Sequence, residues 1–179
     1  MPLGPKLLLK LVKETKLVEN LSDRELTNPE GAGFDLRIGE VYEINGKGFL
    51  GIEERKTPDI KLVSKYDENK TKWITLKPGD YYLVKTIESV NLPKNIAGYF
   101  YTRGTLFRSG LLHGLSRTDP GYKGQLVTSL ANVGPCTIKL ELGSRFVHIQ
   151  FEHIKGEGSM YRGQWQGGRV AANKKEKQV

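Results

Sequence analysis

The chain has few of the residues that staple, ligate or anchor a protein. It contains one cysteine, Cys136, in 179 residues, so no internal disulfide can form and nothing calls for an oxidising compartment. Cys136 sits in a strand-like run and reads as a buried thiol rather than a nucleophile. The three histidines, His113, His148 and His153, come without a cysteine pair or an HExxH, so a catalytic zinc site is missing. Long apolar runs are missing too. The start, MPLGPKLLLKLVKETK, breaks its leucines with lysines before a signal-peptide core or a membrane span can form. The expectation is a soluble, cytoplasmic protein with no membrane partner. No GxxxxGK[ST] occurs, which excludes a P-loop. One GxGxxG, Gly46 to Gly51, is followed by Glu53-Glu54-Arg55-Lys56-Thr57-Pro58, with no helix to offer its N-terminus to a pyrophosphate.

What is present suffices for a fold. Hydrophobic residues make up 37% and there are 21 glycines, a globular balance in a length that suits one domain. Lys+Arg outnumber Asp+Glu by 28 to 20, a formal charge of +8, which points to an anionic partner and leaves polyanion and nucleotide both open. Helical spacing is confined to the first 26 residues, with Leu8, Leu11 and Val12 in phase and Ser22-Asp23-Arg24-Glu25 able to open a short turn. Short apolar or alternating runs follow, such as 81–84, 98–101, 126–130, 137–140 and 146–151, separated by Pro78-Gly79, Asp119-Pro120-Gly121 and Gly134-Pro135. That rhythm predicts a mainly β sandwich, barrel or jelly roll with a short N-terminal helical segment. Residues 45–72, polar and rich in glycine and lysine, read as a loop or loose hairpin. Residues 1–158 form one β domain in this reading, and 159–179 a glycine-rich, basic tail. Such a tail buries little by itself, so it is either disordered or ordered by a ligand or a neighbouring subunit.

The chemistry concentrates in RGTLFRSGLLHGLSRTDPGYKGQ, residues 103–125. Arg103 and Arg108 bracket Gly104-Thr105, bringing two guanidinium forks, a hydroxyl and an unencumbered amide to a short segment, as a phosphate chain requires. A surface turn with two solvated arginines fits the same letters. Asp119 can accept a proton from water, and Tyr122 can stack on a sugar or base; Asp-Pro-Gly is also common turn chemistry. Spacing alone does not choose.

A resemblance does. Ala32 to Arg37, Arg103 to Gly110, Thr118 to Asn132, Gly143 to Phe151 and Tyr161 to Gly168 fall in the order and at the spacing of the motifs shared by trimeric dUTPases and dCTP deaminases. The ending Tyr161-Arg162-Gly163-Gln164-Trp165-Gln166-Gly167 is similar to the deaminase-like branch, which includes archaeal-type dUTPases. The resemblance implies a distorted jelly-roll subunit, a homotrimer with active sites at subunit interfaces, and a deoxyribonucleoside triphosphate bound with Mg²⁺ through its phosphates, with no metal ligand in the protein. It makes the tail an active-site lid, consistent with a segment that has no core of its own. Nucleic acid is not an implied partner.

Within that family the chain departs from the deaminase pattern, RSSLAR followed by a catalytic glutamate. The first serine is Gly104, the second is Thr105, and the glutamate position is Ser129. A hydroxyl does not replace a carboxylate that shuttles protons to a leaving amine. The resemblance therefore implies a dUTP diphosphatase in which Asp119 activates water and Tyr122 packs on deoxyribose. Backbone groups of the 119–130 hairpin, which carries Val127 and Ser129, read the uracil. Arg103, Gly104, Thr105, Arg108, His148, Tyr161, Arg162, Gln164 and Gln166 complete the nucleotide contacts, and Asp35 supports by orienting an arginine or a metal-bound water. His148 stands where the family usually has glutamine, and Gly104 where dUTPases have a phosphate-binding serine. A dCTP deaminase, mono- or bifunctional, and a catalytically weak nucleotide-binding relative are the alternatives.

Overall fold

A computed structural model describes residues 1–156, 158–172 and 174–178. Helix α1 (Pro5–Thr15) starts with proline in its first turn, where the missing amide costs nothing, and ends at Lys16, whose left-handed φ of 54° turns its amide back onto the Leu11 and Val12 carbonyls. Strand β1 (Val18–Glu19) and helix α2 (Asp23–Thr27) follow. The β body then runs through β2 (Gly33–Asn45), β3 (Phe49–Leu50), β4 (Glu54–Lys56), β5 (Asp59–Lys65), β6 (Trp73–Leu76), β7 (Tyr81–Asn91) and β8 (Ile96–Thr102). Helix α3 (Gly104–Arg108) interrupts it before β9 (Leu111–His113), β10 (Arg117–Thr118), β11 (Lys123–Asn132), β12 (Ile138–Glu141), β13 (Arg145–His153) and, in the tail, β14 (Glu176–Lys177).

The main sheet has the order β10-β8-β13-β2-β7-β11-β9, antiparallel throughout, with β5 added to β2 and β1 to β7. It curls because β2 changes partners along its length. Gly33 to Arg37 pair with β13, while Ile38 to Glu43 pair with β7 across an irregularity between Ile38 and Glu40. Gly39 makes the bend feasible: a Cβ there would lie 2.9 Å from backbone atoms of Thr86 and Ile87. Phe34, Leu36, Ile38, Val84, Leu130, Phe146, Ile149 and Phe151 close the core inside the curl. Two small sheets, β12-β6 and β14-β4-β3, flank it. The mainly β, distorted jelly-roll expectation is met, as is the short helical start.

Three expectations are corrected. Helix is not confined to the first 26 residues, since α3 forms over Gly104–Arg108 around the buried Leu106; five residues offer no period to read. Residues 45–72 are more than a loop or loose hairpin: beside the β3–β4 hairpin they supply the seven-residue β5, which pairs with β2 from Glu40 to Asn45. Cys136 is exposed, in the turn between β11 and β12.

Candidate active site

The register of β2, β13 and β8 builds the first constellation. Asp35 stands opposite His148, and His148 opposite Tyr101, two residues before Arg103. The Asp35 carboxylate is therefore a buried hub. One oxygen accepts hydrogen bonds from Arg103 and, at 3.0 Å, from Arg145; the other lies 3.0 Å from His148 Nδ1. Its amide donates to Glu25 at 3.0 Å, and Arg24 bridges Glu25 and Glu30 beside it. Burial works to raise the Asp35 carboxyl, but the His148 hydrogen bond and the charges of Arg103, His148 and Arg145 outweigh it and hold it below the usual carboxylate range. Three guanidiniums face three carboxylates here. The arginine charge is thus offset within the chain, and a small cavity lined by Glu30, Gly31, Asp35, Arg103, Gly104 and His148 opens beside the cluster. Arg108 does not join it. Its guanidinium folds back 3.1 Å from the Gly104 carbonyl and over the Phe107 ring, filling space that a side chain at 104 would take.

The second constellation is the tip between β10 and β11. Tyr122 donates its amide to the Asp119 carbonyl at 3.1 Å across Pro120-Gly121, with Gly121 at φ 79°, the geometry of a type II turn. The tip is pinned to the end of β7: Gly121 donates to Leu92, and Leu92 donates back to Tyr122, each at 2.9 Å. A cavity of about 350 Å³ opens beside it, with Phe100, Leu83 and Leu126 as apolar wall and Asp119, Tyr122, Val127, Tyr161 and Trp165 around it. Among the described residues, Asp119 is the only carboxylate lining it. A neighbouring, more polar cavity shares Asp119, Arg117 and Tyr161 and adds Arg162, so Asp119 stands between an apolar and a polar chamber. Tyr122 is buried, donates to the Gln125 carbonyl at 2.6 Å and meets the Tyr161 ring edge-on at 5.2 Å; burial pushes its hydroxyl up to about 12, against a hydrogen bond from Gly168.

The tail is ordered by its own chain, which corrects the expectation that only a ligand or a neighbour would order it. Gln166 receives the Lys123 amide and donates to the Gly121 carbonyl, both at 3.1 Å, and the Gly168 amide reaches Tyr122 Oη at 3.2 Å. Gly124 and Gly167 let the backbones touch, since a Cβ on Gly124 would come 2.5 Å from the Gly167 Cα. Ala171 and Ala172 are buried, and β14 pairs with β4.

Sequence-expected residues thus fall into two groups. Asp35, Arg103, Gly104 and His148 share one cavity; Asp119, Tyr122, Val127 and Tyr161 share another, with Arg162 in the chamber next to it. Gln164 and Gln166 hold the tail, Thr105 and Arg108 are exposed on α3, and Ser129 accepts the Gly114 amide at 2.9 Å. Thr118 pairs with Gly98, and Arg103 lies five residues beyond Gly98, about 16 Å along an extended strand. One chain does not bring the two groups together. Residues the sequence reading missed include Arg24, Glu25 and Arg145 around Asp35, and Thr57, Trp165 and Arg169 on the cavity wall. Arg145 and Trp165 lie inside the motif stretches; Thr57 had no signal.

A family model for dCTP deaminase-like proteins matches residues 3–154. The chain belongs to that family. Among similar members, a protein named dCTP deaminase from Thermococcus kodakarensis is 31% identical over 167 residues, 93% of this chain and 95% of its own length. Another of that name from Pyrococcus furiosus is 30% identical over 168 residues, with the same coverage of 93% and 95%. A protein from Aeropyrum pernix named probable deoxyuridine 5'-triphosphate nucleotidohydrolase is 33% identical over 139 residues, 76% of this chain and 83% of its own. Solved structures share the fold at low identity. A 2'-deoxycytidine 5'-triphosphate deaminase from Agrobacterium tumefaciens superposes with a TM-score of 0.65 at 18% identity, covering 84% of this chain, which spans 48% of that one. A mutant dUTPase from phage phi11, in which a structural Mg(II) ion is coordinated, gives 0.51 at 15% identity over 82% of this chain and 95% of that one. The family covers enzymes acting on nucleotides, and both activities occur among these relatives.

Proposed function

We propose that this member of the family is a dUTP diphosphatase, releasing dUMP and pyrophosphate. The observation that carries the reading is the one carboxylate that lines the hairpin cavity among the described residues: Asp119 is present, and the position expected to supply a deaminase's proton shuttle is Ser129, its hydroxyl engaged by the Gly114 amide at 2.9 Å. Hydrolysis needs one base, whereas deamination also needs a group that protonates the leaving amine.

In this reading the nucleoside lies in the apolar chamber, its deoxyribose against Tyr122 and its base along the hairpin that carries Val127. Asp119 takes a proton from a water whose oxygen attacks the α-phosphorus; the bond from that phosphorus to the bridging oxygen breaks, and pyrophosphate leaves. Among the described residues no cluster of three or more His, Cys, Asp or Glu could hold a metal, and Asp35 is taken up by Arg103, Arg145 and His148. A Mg²⁺ would arrive on the triphosphate, with few or no protein ligands. Bound that way, it offsets phosphate charge. Arg103 and His148 receive phosphates from the triphosphate of a neighbouring subunit's nucleotide, because the two half-sites of one chain lie apart; a closed homotrimer supplies that geometry. The tail, docked across the hairpin, acts as lid.

A second reading, dCTP deamination, is favoured by the names of the Thermococcus and Pyrococcus relatives. Incubating purified protein with Mg²⁺ and each of dUTP, dCTP, dTTP and UTP separates them. Pyrophosphate from dUTP supports the proposal, ammonia from dCTP the deaminase, and tight binding without turnover a regulatory relative.

A further inference from the structure

We propose that Arg55, on the β3–β4 hairpin, is the positioning residue that holds Trp165 and Arg169 of the tail against the cavity beside Asp119. This rests on the reading of that cavity as the nucleotide site, and it gives the 45–72 insertion a task in the reaction. The Arg55 guanidinium carbon lies 5.0 Å from the centroid of the Trp165 ring, and an N–H of the same group donates to Gln164 Oε1 next to it. Arg169 approaches the same ring, at 5.9 Å. Two guanidiniums near one indole repel each other, and the Glu176 carboxylate offsets part of that charge. It pairs with Arg169, at 3.0 Å through one of its oxygens, and stands directly opposite Arg55 in the β14–β4 register. The Arg169 hydrogen bond and charge, with smaller help from the Arg55 charge, hold its carboxyl below the usual range.

The latch borders the cavity directly. Thr57, two residues beyond Arg55, lines it together with Trp165, Arg169 and Val170, and Thr57 Oγ1 accepts the Ala172 amide at 2.8 Å. The Arg55 Nε is buried and, among the described residues, has no hydrogen-bond partner; the guanidinium is held by the Trp165 ring and the Gln164 side chain. A cation on an aromatic face is favourable when shielded from water, and Arg rather than Lys can serve ring and amide together through its planar fork. Trp165 in turn donates its amide to Tyr161 Oη at 3.1 Å, and Tyr161 meets Tyr122 edge-on. A chain of contacts thus runs from the insertion to the aromatic expected under the sugar.

The chain has two tryptophans, and Trp73 lies on the separate β12-β6 sheet, so Trp73→Phe leaves Trp165 as the only indole reporter. In that background, acrylamide quenching of Trp165 and trypsin cleavage of the tail are measured without nucleotide for Arg55, Arg55→Ala and Arg55→Lys; KM and kcat for dUTP are measured alongside. Arg55→Ala should at least double the quenching constant, speed tail cleavage and raise KM about tenfold with kcat nearly unchanged, a loss of roughly 1.4 kcal/mol of binding. Arg55→Lys should fall between. Unchanged quenching and cleavage in folded Arg55→Ala would overturn the latch. If Arg55→Ala does not fold, Arg55→Lys decides by the same readouts, with no change from Arg55 overturning the proposal. Absence of any dUTP binding by the unaltered chain would instead sink the nucleotide reading, while nucleotide-free quenching still judges the latch.

Discussion

Ser129 Oγ accepts the Gly114 amide at 2.9 Å, tying β11 to the segment that follows β9. The hydroxyl has a structural occupation. Ser129→Ala should therefore cost about 1 kcal/mol of stability or less, the worth of one hydrogen bond, since the Gly114 amide keeps the Ser129 carbonyl at 3.2 Å, and leave dUTP hydrolysis within about twofold, a change worth less than 1 kcal/mol. Urea unfolding and steady-state rates check both. Loss of a dCTP-deaminating activity in Ser129→Ala would contradict the assignment.

Asp119 pairs with Arg117 at 3.1 Å, but both side chains are substantially exposed, so the pair adds little to stability. Asp119→Asn should retain the melting temperature within a few degrees and lower hydrolysis by about 10² to 10⁴. Circular dichroism and pyrophosphate release separate the two effects.

Asp35 is different, because it is buried under Arg103, Arg145 and His148. Asp35→Ala leaves two guanidiniums without their carboxylate and should destabilise by about 3 kcal/mol, with weaker nucleotide binding as Arg103 loses its orientation. Chemical denaturation followed by nucleotide titration reads both.

Acid should expose the same logic. Asp35 is held below its usual range, and Lys85, Tyr42 and Lys65 outweigh burial to bring Glu40 down to about 2. Carboxyls depressed in the folded chain contribute stability above their unfolded values, and that contribution drains away as pH falls through the folded ones. Stability should thus decline from near pH 4.5, the ordinary value for Glu40, towards about pH 2. Glu88, raised by burial against its bonds to Arg37, works with the opposite sign. Glu40→Gln should flatten the decline; urea midpoints across this range measure it.

The proposed sharing of sites between subunits predicts complementation. Asp119→Asn and Arg103→Ala should each be inactive alone, yet an unfolded and refolded equal mixture should recover about a quarter of normal activity, the fraction of interfaces in a closed ring that pair an intact Asp119 with an intact Arg103. No recovery in a folded mixed trimer would place both residues in one subunit's site.

How much of this was legible in the letters follows range. The Asp119-Pro120-Gly121-Tyr122 turn is local chemistry, and its type II geometry followed from proline and glycine placement. The alternation of β11 and β13 likewise announced buried strands. β5 stayed hidden because, among the described residues, it attaches only to β2 and keeps mostly exposed side chains, so no apolar alternation marks it. The tail looked coreless by composition, yet its stability comes from long-range contacts, β14 on β4 and Gln166 on the hairpin, which no window of sequence contains. Arg103 and Arg108 looked equivalent; a five-residue helix turned one towards Asp35 and the other back over its own backbone.

The most direct test is product analysis with equal concentrations of dUTP and dCTP in the presence of Mg²⁺, separating nucleotides by chromatography and assaying ammonia in parallel. The account predicts dUMP and pyrophosphate from dUTP, and no ammonia from dCTP. Ammonia released from dCTP, with dUTP left intact, would contradict it.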